Sequence, residues 1–249
     1  MSDDYRIKLQ KQLSNSLLPA QKVYYSALYK KIEDQIEKSN QILEIGAGAG
    51  ISKNFLNLPN IIRTDYLNWD SNVGVQGNID AEKLPFADNS FDAIFGVDMI
   101  HHVNNPYKVL EESIRVSKNN GKIIFIEPYV SVFSFIIYKL FHEERTTYSY
   151  DFLNTYDPSN PQEGDQGVAK AMFQSKKGRA FLKKKDYQIK KITLSTFHPL
   201  SFFSTGGLSK PLKINSRIVS FILKIEKLIP NQVMKLCASR MIIIIEVAK

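Results

Sequence analysis

Three glycines alternate with alanines directly after a short apolar run. Ile42 to Ile45 is typical of a strand, and Gly46, Gly48 and Gly50 follow it. Glycine lets the backbone turn tightly and lets a ligand approach main-chain amides without a Cβ in the way. A strand that enters such a turn and continues into a helix is typical of nucleotide-like binding, although it also occurs as a plain corner.

An acidic residue at a suitable distance favours the binding interpretation. Asp65 stands 19 residues after Gly46, at the end of a predicted second strand, where a carboxylate can accept both hydroxyls of a ribose. Ile51 occupies the place where a dinucleotide loop has its last glycine, and Lys53 lacks the preceding glycine of a phosphate-binding loop. The pattern therefore favours a nucleoside with a small polar tail over a diphosphate.

The segments that follow this loop resemble a known family. They are Glu44-x-Gly46-x-Gly48-x-Gly50, Asp80 to Phe86, Asp88 to Asp92, His101-His102 and Asn120-Gly121-Lys122. In type, order and spacing they resemble the class I S-adenosylmethionine-dependent methyltransferases, of the small-molecule type that includes ubiquinone/menaquinone methyltransferases. The resemblance covers about residues 40–128 and implies S-adenosyl-L-methionine as cofactor.

The resemblance also implies a role for each matching residue. Gly46 and Gly48, with Glu44 and Ala47 beside them, are expected near the methionine portion of the cofactor. Asp65 is expected to accept the ribose hydroxyls, and Tyr66, Asp80 and Ala81 to contact the adenine. Gly96 and Val97 are expected to place main-chain oxygens near the ammonium group. About seven residues separate Asp65 from the predicted third strand, so the usual intervening helix is reduced or missing. Trp69 is then a candidate for part of the adenine wall. No metal site is predicted.

Two adjacent histidines follow the predicted fourth strand, on the side where the methyl acceptor should lie. A histidine pKa near 6.5 suits a general base, so His101 and His102 are the candidate catalytic residues. Both alternatives to catalysis stay open, since either histidine could position the acceptor or simply pack in a loop.

Apolar periodicity predicts the elements that hold these residues. Strands alternate with helices, which indicates parallel pairing and a three-layer α/β/α sandwich. We expect a Rossmann-like, seven-stranded, mostly parallel sheet in which the last strand is antiparallel. The predicted strands cover residues 41–45, 60–65, 73–79, 91–97, 122–127, 187–197 and 239–247, and the helices residues 17–38, 52–58, 106–116, 166–185 and 214–229.

The chain is expected to form one methyltransferase domain over residues 1–249, with cap insertions at about 128–165 and 198–236. It has one cysteine, Cys237, which excludes an internal disulfide and a cysteine-based zinc cluster and favours a cytoplasmic location. Its N-terminus is acidic and has no apolar run behind it, so we expect no signal peptide.

Charge divides the chain. The net charge is +8, yet residues 1–128 carry 14 basic and 16 acidic residues and residues 129–249 carry 19 and 9. The basic half could meet nucleic acid, anionic lipid or a phosphorylated substrate. The apolar stripe of residues 214–229, with Val130–Phe141, either packs in the core or makes a peripheral membrane contact.

These observations favour a methyltransferase for a small or lipid-linked metabolite, with oxygen as the acceptor atom. An RNA methyltransferase is the alternative suggested by charge, but the basic run from Lys176 to Lys191 has few interleaved aromatic residues. A non-catalytic nucleoside-binding regulator is the alternative from another class. The intact glycine loop with Asp65 and Asp80 counts against it.

Overall fold

The structure is a computed structural model that describes residues 17–36, 38–69, 73–141, 145–147, 164–185, 187–207 and 211–249. Its strands are β1 (Ile42–Ile45), β2 (Ile61–Thr64), β3 (Phe91–Val97), β4 (Ser117–Pro128), β5 (Ile189–Phe197) and β6 (Arg240–Val247). Its α-helices are α1 (Pro19–Ile36), α2 (Pro106–Val116), α3 (Val132–Phe141), α4 (Val168–Phe173), α5 (Lys176–Lys184), α6 (Ser201–Thr205), α7 (Ser216–Glu226) and α8 (Asn231–Cys237). Two 3₁₀ turns cover Ile51–Asn54 and Ile100–His102.

The six strands form one sheet in the order β2-β1-β3-β4-β6-β5. β1 to β4 pair in parallel, whereas β6 is antiparallel to both of its neighbours, β4 and β5. The predicted mostly parallel sheet and the antiparallel pair at its far edge are therefore confirmed. Because β6 runs the other way, its first residues lie at the edge where the parallel strands end.

The predicted third strand is reduced, so the described sheet has six strands where seven were expected. Of residues 73–79 only Gln76 pairs with the sheet, through an isolated parallel bridge to Thr64. Gly74 has a positive φ of 62°, and Gly77 lies so close to the backbone of Leu67 to Trp69 that a Cβ would collide there. Glycines at these positions weaken a strand, which explains why the segment makes a bridge and no ladder.

The side chains of the sheet alternate between two apolar layers. Leu43, Ile94 and Ile123 point to the layer that contains α2, α4 and α5, while Ile42, Phe95 and Ile124 point to the layer that contains α1. This is the period-two pattern of strands covered on both faces. The three-layer α/β/α arrangement is confirmed, and it leaves the strand ends as the place for a ligand.

Two predicted helices differ from the structure. The predicted helix 52–58 is a single 3₁₀ turn, Ile51–Asn54, and Pro59 disfavours helical backbone at Leu58, where the helix was predicted to end. The predicted basic helix 166–185 is divided into α4 and α5, and Ser175 caps α5 by accepting from the Gly178 N–H. A Cβ at Gly178 would lie 2.2 Å from the Ala171 oxygen, so the break lets the two helices cross closely.

The helices of the second half pack against one another and, in one case, against the turn after β3. α3 packs against α8, α6 against α7, and α4 against the turn that carries His101 and His102. Most of the predicted insertion 128–165 beyond α3, residues 148–163, lies outside the described residues. Among the helices that the structure describes, none is both long and apolar enough to cross a membrane.

Candidate functional site

The glycine loop turns the chain sharply at the carboxyl end of β1. Gly46, Gly48 and Gly50 have φ values of 66°, 52° and 70°, which belong to the left-handed region. A Cβ at Gly46 would lie 2.6 Å from the Cβ of Met99. The loop therefore needs glycine both for its backbone conformation and for its close approach to the end of β3.

Asp65 connects the end of β2 to this loop. Its Oδ2 accepts the Gly48 N–H at 2.8 Å, and its Oδ1 accepts the Leu67 N–H at 2.9 Å. The side chain is 9% exposed. Two carboxylate oxygens can accept about four hydrogen bonds, so Asp65 keeps the capacity to accept two hydroxyls in addition to these contacts.

Glu44 lies beneath the loop. It is buried, accepts a hydrogen bond from the Ser52 hydroxyl, and its Oε2 lies 3.2 Å from the Arg63 Nε. Burial raises the pKa of Glu44 to about 7, and Ser52 and Arg63 oppose that rise. These contacts tie β1 to β2 and to the 3₁₀ turn, so Glu44 supports the loop. A direct contact of Glu44 with the cofactor stays a prediction.

The predicted adenine residues lie on the side of β2. Tyr66 is 69% exposed, Asp80 is exposed, and Ala81 is partly buried. The Asp80 Oδ1 accepts the Glu82 N–H at 2.8 Å. Trp69 is 6% exposed and packs with Leu67 and Val75 against the loop alanines. The buried indole thus forms a floor next to the loop, while Tyr66 stands free to cover a ligand.

The end of β3 contributes main chain and one unexpected carboxylate. A Cβ at the buried Gly96 would lie 3.1 Å from the Ile45 oxygen, so β3 approaches the end of β1 closely there. Val97 is the last residue of the strand, and Asp98 follows it with a positive φ of 53°. The Asp98 side chain is 37% exposed at this edge. Sequence reasoning missed Asp98, although its place just after a strand end was a usable signal.

The two histidines share the turn after β3. His101 is 3% exposed, and its Nδ1 lies 2.5 Å from the Oε2 of Glu127, at the end of β4. The Oε1 of Glu127 accepts the N–H groups of Met99 and Ile100. His102 is partly buried, and its ring centroid is 4.0 Å from that of His101. Glu127 was not among the predicted site residues.

Asp98, His101 and Glu127 bring ligand-type atoms within 4.8 Å of one another, a grouping that could hold a cation. The carboxylates, however, already have partners. Asp98 accepts from Arg240, and Glu127 accepts two backbone N–H groups and contacts His101. We interpret the group as a hydrogen-bond network that orders the turn.

Arg240, the first residue of β6, contacts Asp98 at this edge of the sheet. Its Nη2 donates to the Asp98 Oδ1 at 2.5 Å, and its guanidinium lies 5.0 Å from the ring centre of Phe202. It is 2% exposed and pairs with Pro128 in the ladder of β4 and β6. Because 142 residues separate Arg240 from Asp98, only the topology of the sheet brings them together.

The arrangement as a whole has the chemistry of a nucleoside site. Backbone amides at a glycine turn, a carboxylate on the neighbouring strand and main-chain carbonyls at the end of β3 meet at one edge of an open parallel sheet, where such folds bind ligands. This fold and this arrangement agree with the class that the sequence resembles, the S-adenosylmethionine-dependent methyltransferases.

Comparisons with known proteins agree with this class. Residues 43–125 match the family model described as a methyltransferase domain. An uncharacterised protein of Methanocaldococcus jannaschii is 32% identical over 47% of this chain and 55% of its own length. A ubiquinone/menaquinone biosynthesis C-methyltransferase of Pseudomonas syringae pv. syringae is 29% identical over 47% of this chain and 51% of its own length. The match thus spans about half the length of these relatives.

A solved structure shows the same fold. The crystal structure of a SAM-dependent methyltransferase from Archaeoglobus fulgidus aligns with a TM-score of 0.52 at 12% identity, over 90% of this chain and 94% of that one. Residues 43–125 are thus a class I, S-adenosylmethionine-dependent methyltransferase domain. The predicted family, enzyme class and cofactor are confirmed for this domain.

Proposed function

We propose that the protein transfers the methyl group of S-adenosylmethionine to an oxygen of a small or lipid-linked metabolite. The observation that carries the proposal is the contact between Gly48 and Asp65, which joins the glycine loop to the ribose-type carboxylate at the ends of β1 and β2. Main-chain amides and an acid in this relation fit a nucleoside that has no diphosphate.

The residues at the sheet edge fit this cofactor. A side chain at Gly46 or Gly96 would collide with Met99, so glycine at both positions lets the ends of β1 and β3 come close to Met99, next to the place where the methionine portion would lie. Asp65 would accept the ribose hydroxyls, and Asp80, Ala81 and Tyr66 would meet the adenine. Glu44 and Ala47 would hold the loop in shape, and Gly96 and Val97 would present carbonyl oxygens to the ammonium.

S-adenosylmethionine, when bound, supplies a methyl group on a sulfonium that is already an activated leaving group. The protein then needs chiefly to hold the acceptor in line, which can lower the barrier by roughly 7–11 kcal/mol. The cap segments 128–165 and 198–236 of the single domain are proposed to provide this positioning and to exclude water.

His101 is the proposed base for an oxygen acceptor. If the ring donates its Nδ1–H to Glu127, its Nε2 is left as the proton acceptor. The carboxylate of Glu127 would also stabilise the positive charge that the ring gains, as the acid of a catalytic triad does. His102 packs beside His101 with its ring tilted by 40° and is proposed to contact the acceptor. The role of His101 as a base and the contact of His102 with the acceptor stay predictions.

The names of the relatives support a lipid-linked acceptor and a second candidate reaction. The Pseudomonas syringae relative is named for C-methylation in ubiquinone and menaquinone biosynthesis. Carbon is therefore the second candidate acceptor atom. The single cysteine supports a cytoplasmic protein, and a lipid-linked acceptor would bring it to the membrane periphery.

The test is a transfer assay with S-adenosylmethionine that carries an isotope-labelled methyl group. Aqueous metabolites, lipid extract and RNA are offered separately, and mass spectrometry locates the label. We expect label in a small or lipid-linked product on oxygen, and none with an Asp65→Ala control. Label on carbon would favour the second candidate, label only in RNA would favour the RNA alternative, and no label in any pool would contradict the proposal.

A further inference from the structure

The second half of the chain presents a surface that is both apolar and basic. Its apolar part, here called the apolar face, consists of side chains of α3, α7 and α8 and of the turn after α7, each about half exposed or more. They are Val132, Ile136 and Leu140 on α3, Ile218, Phe221 and Ile225 on α7, Leu228 in the turn, and Val233 and Leu236 on α8.

The helix α7 shows that this exposure has a pattern. Val219 and Glu226 are buried toward α1 and α6, whereas Phe221 is 63% exposed and Leu228 in the following turn is 80% exposed. Positions 218, 221 and 225 are three and four residues apart, so they share one side of the helix. The predicted stripe is therefore divided: Ile214 and Ile229 pack against the core, whereas Ile218, Phe221 and Ile225 are exposed.

The apolar face extends beyond one helix. A short turn joins α7 to α8, and α8 packs against α3. On α3 the exposed residues Val132, Ile136 and Leu140 are four residues apart, again on one side. The face thus follows three helices that are joined by chain or by contact. Exposed apolar residues clustered on neighbouring helices in this way are typical of an interaction site.

Basic side chains border the apolar face. Arg217 directly precedes Ile218, and Lys224 directly precedes Ile225. The two basic residues are seven positions apart, about two helical turns, so they lie along the same side of the exposed residues of α7. The exposed basic residues of this region are Lys139, Lys213, Arg217, Lys224, Lys227 and Lys235. Within residues 211–239 the one acidic residue is Glu226, which is buried and accepts from the Leu200 N–H and from Ser201.

We propose that this surface binds an anionic lipid bilayer, with the apolar face in the headgroup region and the basic residues on lipid phosphates. Interfacial helices combine an apolar face with Lys and Arg in this way, and each basic residue adds attraction to an anionic leaflet. A second copy of the chain is disfavoured, because a symmetric contact would bring two like-charged surfaces together. The proposal goes beyond methyl transfer and needs no cofactor to be tested.

The test is flotation of the full chain with vesicles of phosphatidylcholine, with and without phosphatidylglycerol. We expect binding to the anionic vesicles in low salt and weaker binding in high salt. Phe221→Ser should lower the partition coefficient about tenfold through lost apolar burial, and Lys224→Glu at least about fivefold. Circular dichroism checks that both exposed-site variants stay folded.

A matched control separates this surface from general basicity. Lys177 and Lys184 are exposed residues of α5, outside the apolar face, and their replacement by Glu changes the net charge in the same sense. We expect Lys177→Glu to reduce binding much less than Lys224→Glu. An equal reduction would overturn the assignment of the surface, since binding would then follow net charge alone.

A fluorescence variant reports insertion directly. Phe221→Trp should show a blue shift with anionic vesicles, whereas Phe181→Trp on α5 should show none. Wild-type protein that stays at the bottom of the gradient in low salt would overturn the proposal. It would also be overturned if sedimentation without lipid gave a dimer that Phe221→Ser converts to a monomer.

Discussion

The Gly48 N–H donates to the Oδ2 of Asp65 at 2.8 Å, so one carboxylate both shapes the glycine loop and faces the ligand edge. The N–H of Leu67 binds the other oxygen of the same group. Asp65 is thereby fixed in position before a cofactor arrives, which reduces the ordering that binding must impose.

Replacement of this acid should damage cofactor binding more than replacement of Asp80. Asp65→Ala removes a charge-assisted acceptor and one support of the loop, and we expect a loss of about 2–4 kcal/mol in S-adenosylhomocysteine binding. Asp80 is exposed, so Asp80→Ala should cost less. Calorimetry measures both, with thermal unfolding as the folding control. Normal binding by Asp65→Ala would contradict the placement of the ribose.

Glu44 should make stability depend on pH. Its pKa is raised by burial to about 7 from 4.5 in the unfolded chain. Below pH 4.5 the group is protonated in both states; as pH rises from 4.5 through 7, the unfolded chain ionises first and the folded state loses stability. The free energy of unfolding of wild type relative to Glu44→Gln should therefore fall by about 3 kcal/mol across this window. Urea unfolding at several pH values tests this, and a constant difference would contradict it.

The pair of His101 and Glu127 should affect turnover more than cofactor affinity. If His101 is a base, His101→Asn should lower kcat about 10²–10⁴-fold and leave S-adenosylhomocysteine binding almost unchanged. Glu127→Gln should lower kcat by less, because Glu127 orients the base and the variant leaves the base itself in place. A loss below tenfold in His101→Asn would favour positioning of the acceptor alone. His102→Asn is the matched comparison.

The ion pair of Asp98 and Arg240 should stabilise the fold as a unit. Asp98→Asn keeps an acceptor oxygen but leaves the buried Arg240 charge without its counter-charge, and we expect a loss of about 2–3 kcal/mol, since the partial exposure of Asp98 admits water. Arg240→Met alone removes that buried charge, so the double variant should be more stable than the sum of the single losses predicts. Strict additivity in a double-mutant cycle would show that the two residues are not coupled.

Local patterns predicted the elements that have both a clear period and clear ends. The strand Phe91–Val97 and the helix Pro106–Val116 have the predicted bounds, the latter because Asn105 caps it, accepting from the Lys108 N–H, and Pro106 occupies the first turn. Residues 73–79 show the right apolar period, but their glycines weakened the strand to a bridge.

Partners that are distant in sequence could not be predicted in the same way. The acid Asp65 was found because its distance from Gly46 is set by one strand–turn unit. Arg240 meets Asp98 only because β6 is inserted antiparallel beside β4, which no local spacing encodes. The exposure of Phe221 likewise depends on which side of α7 packs on α1, and the periodicity of the helix alone allows either side.

Isothermal titration calorimetry of the purified chain tests the central claim most directly. The loop has glycines and a nearby acid, Asp65, but lacks the last glycine of a dinucleotide loop and the glycine before the lysine of a phosphate-binding loop. We therefore predict that S-adenosylhomocysteine binds one to one with micromolar-order affinity, roughly −8 kcal/mol. NAD and ATP should bind more weakly under the same conditions. Tighter binding of NAD, or no heat from S-adenosylhomocysteine with folded protein, would contradict the assignment of this site to S-adenosylmethionine.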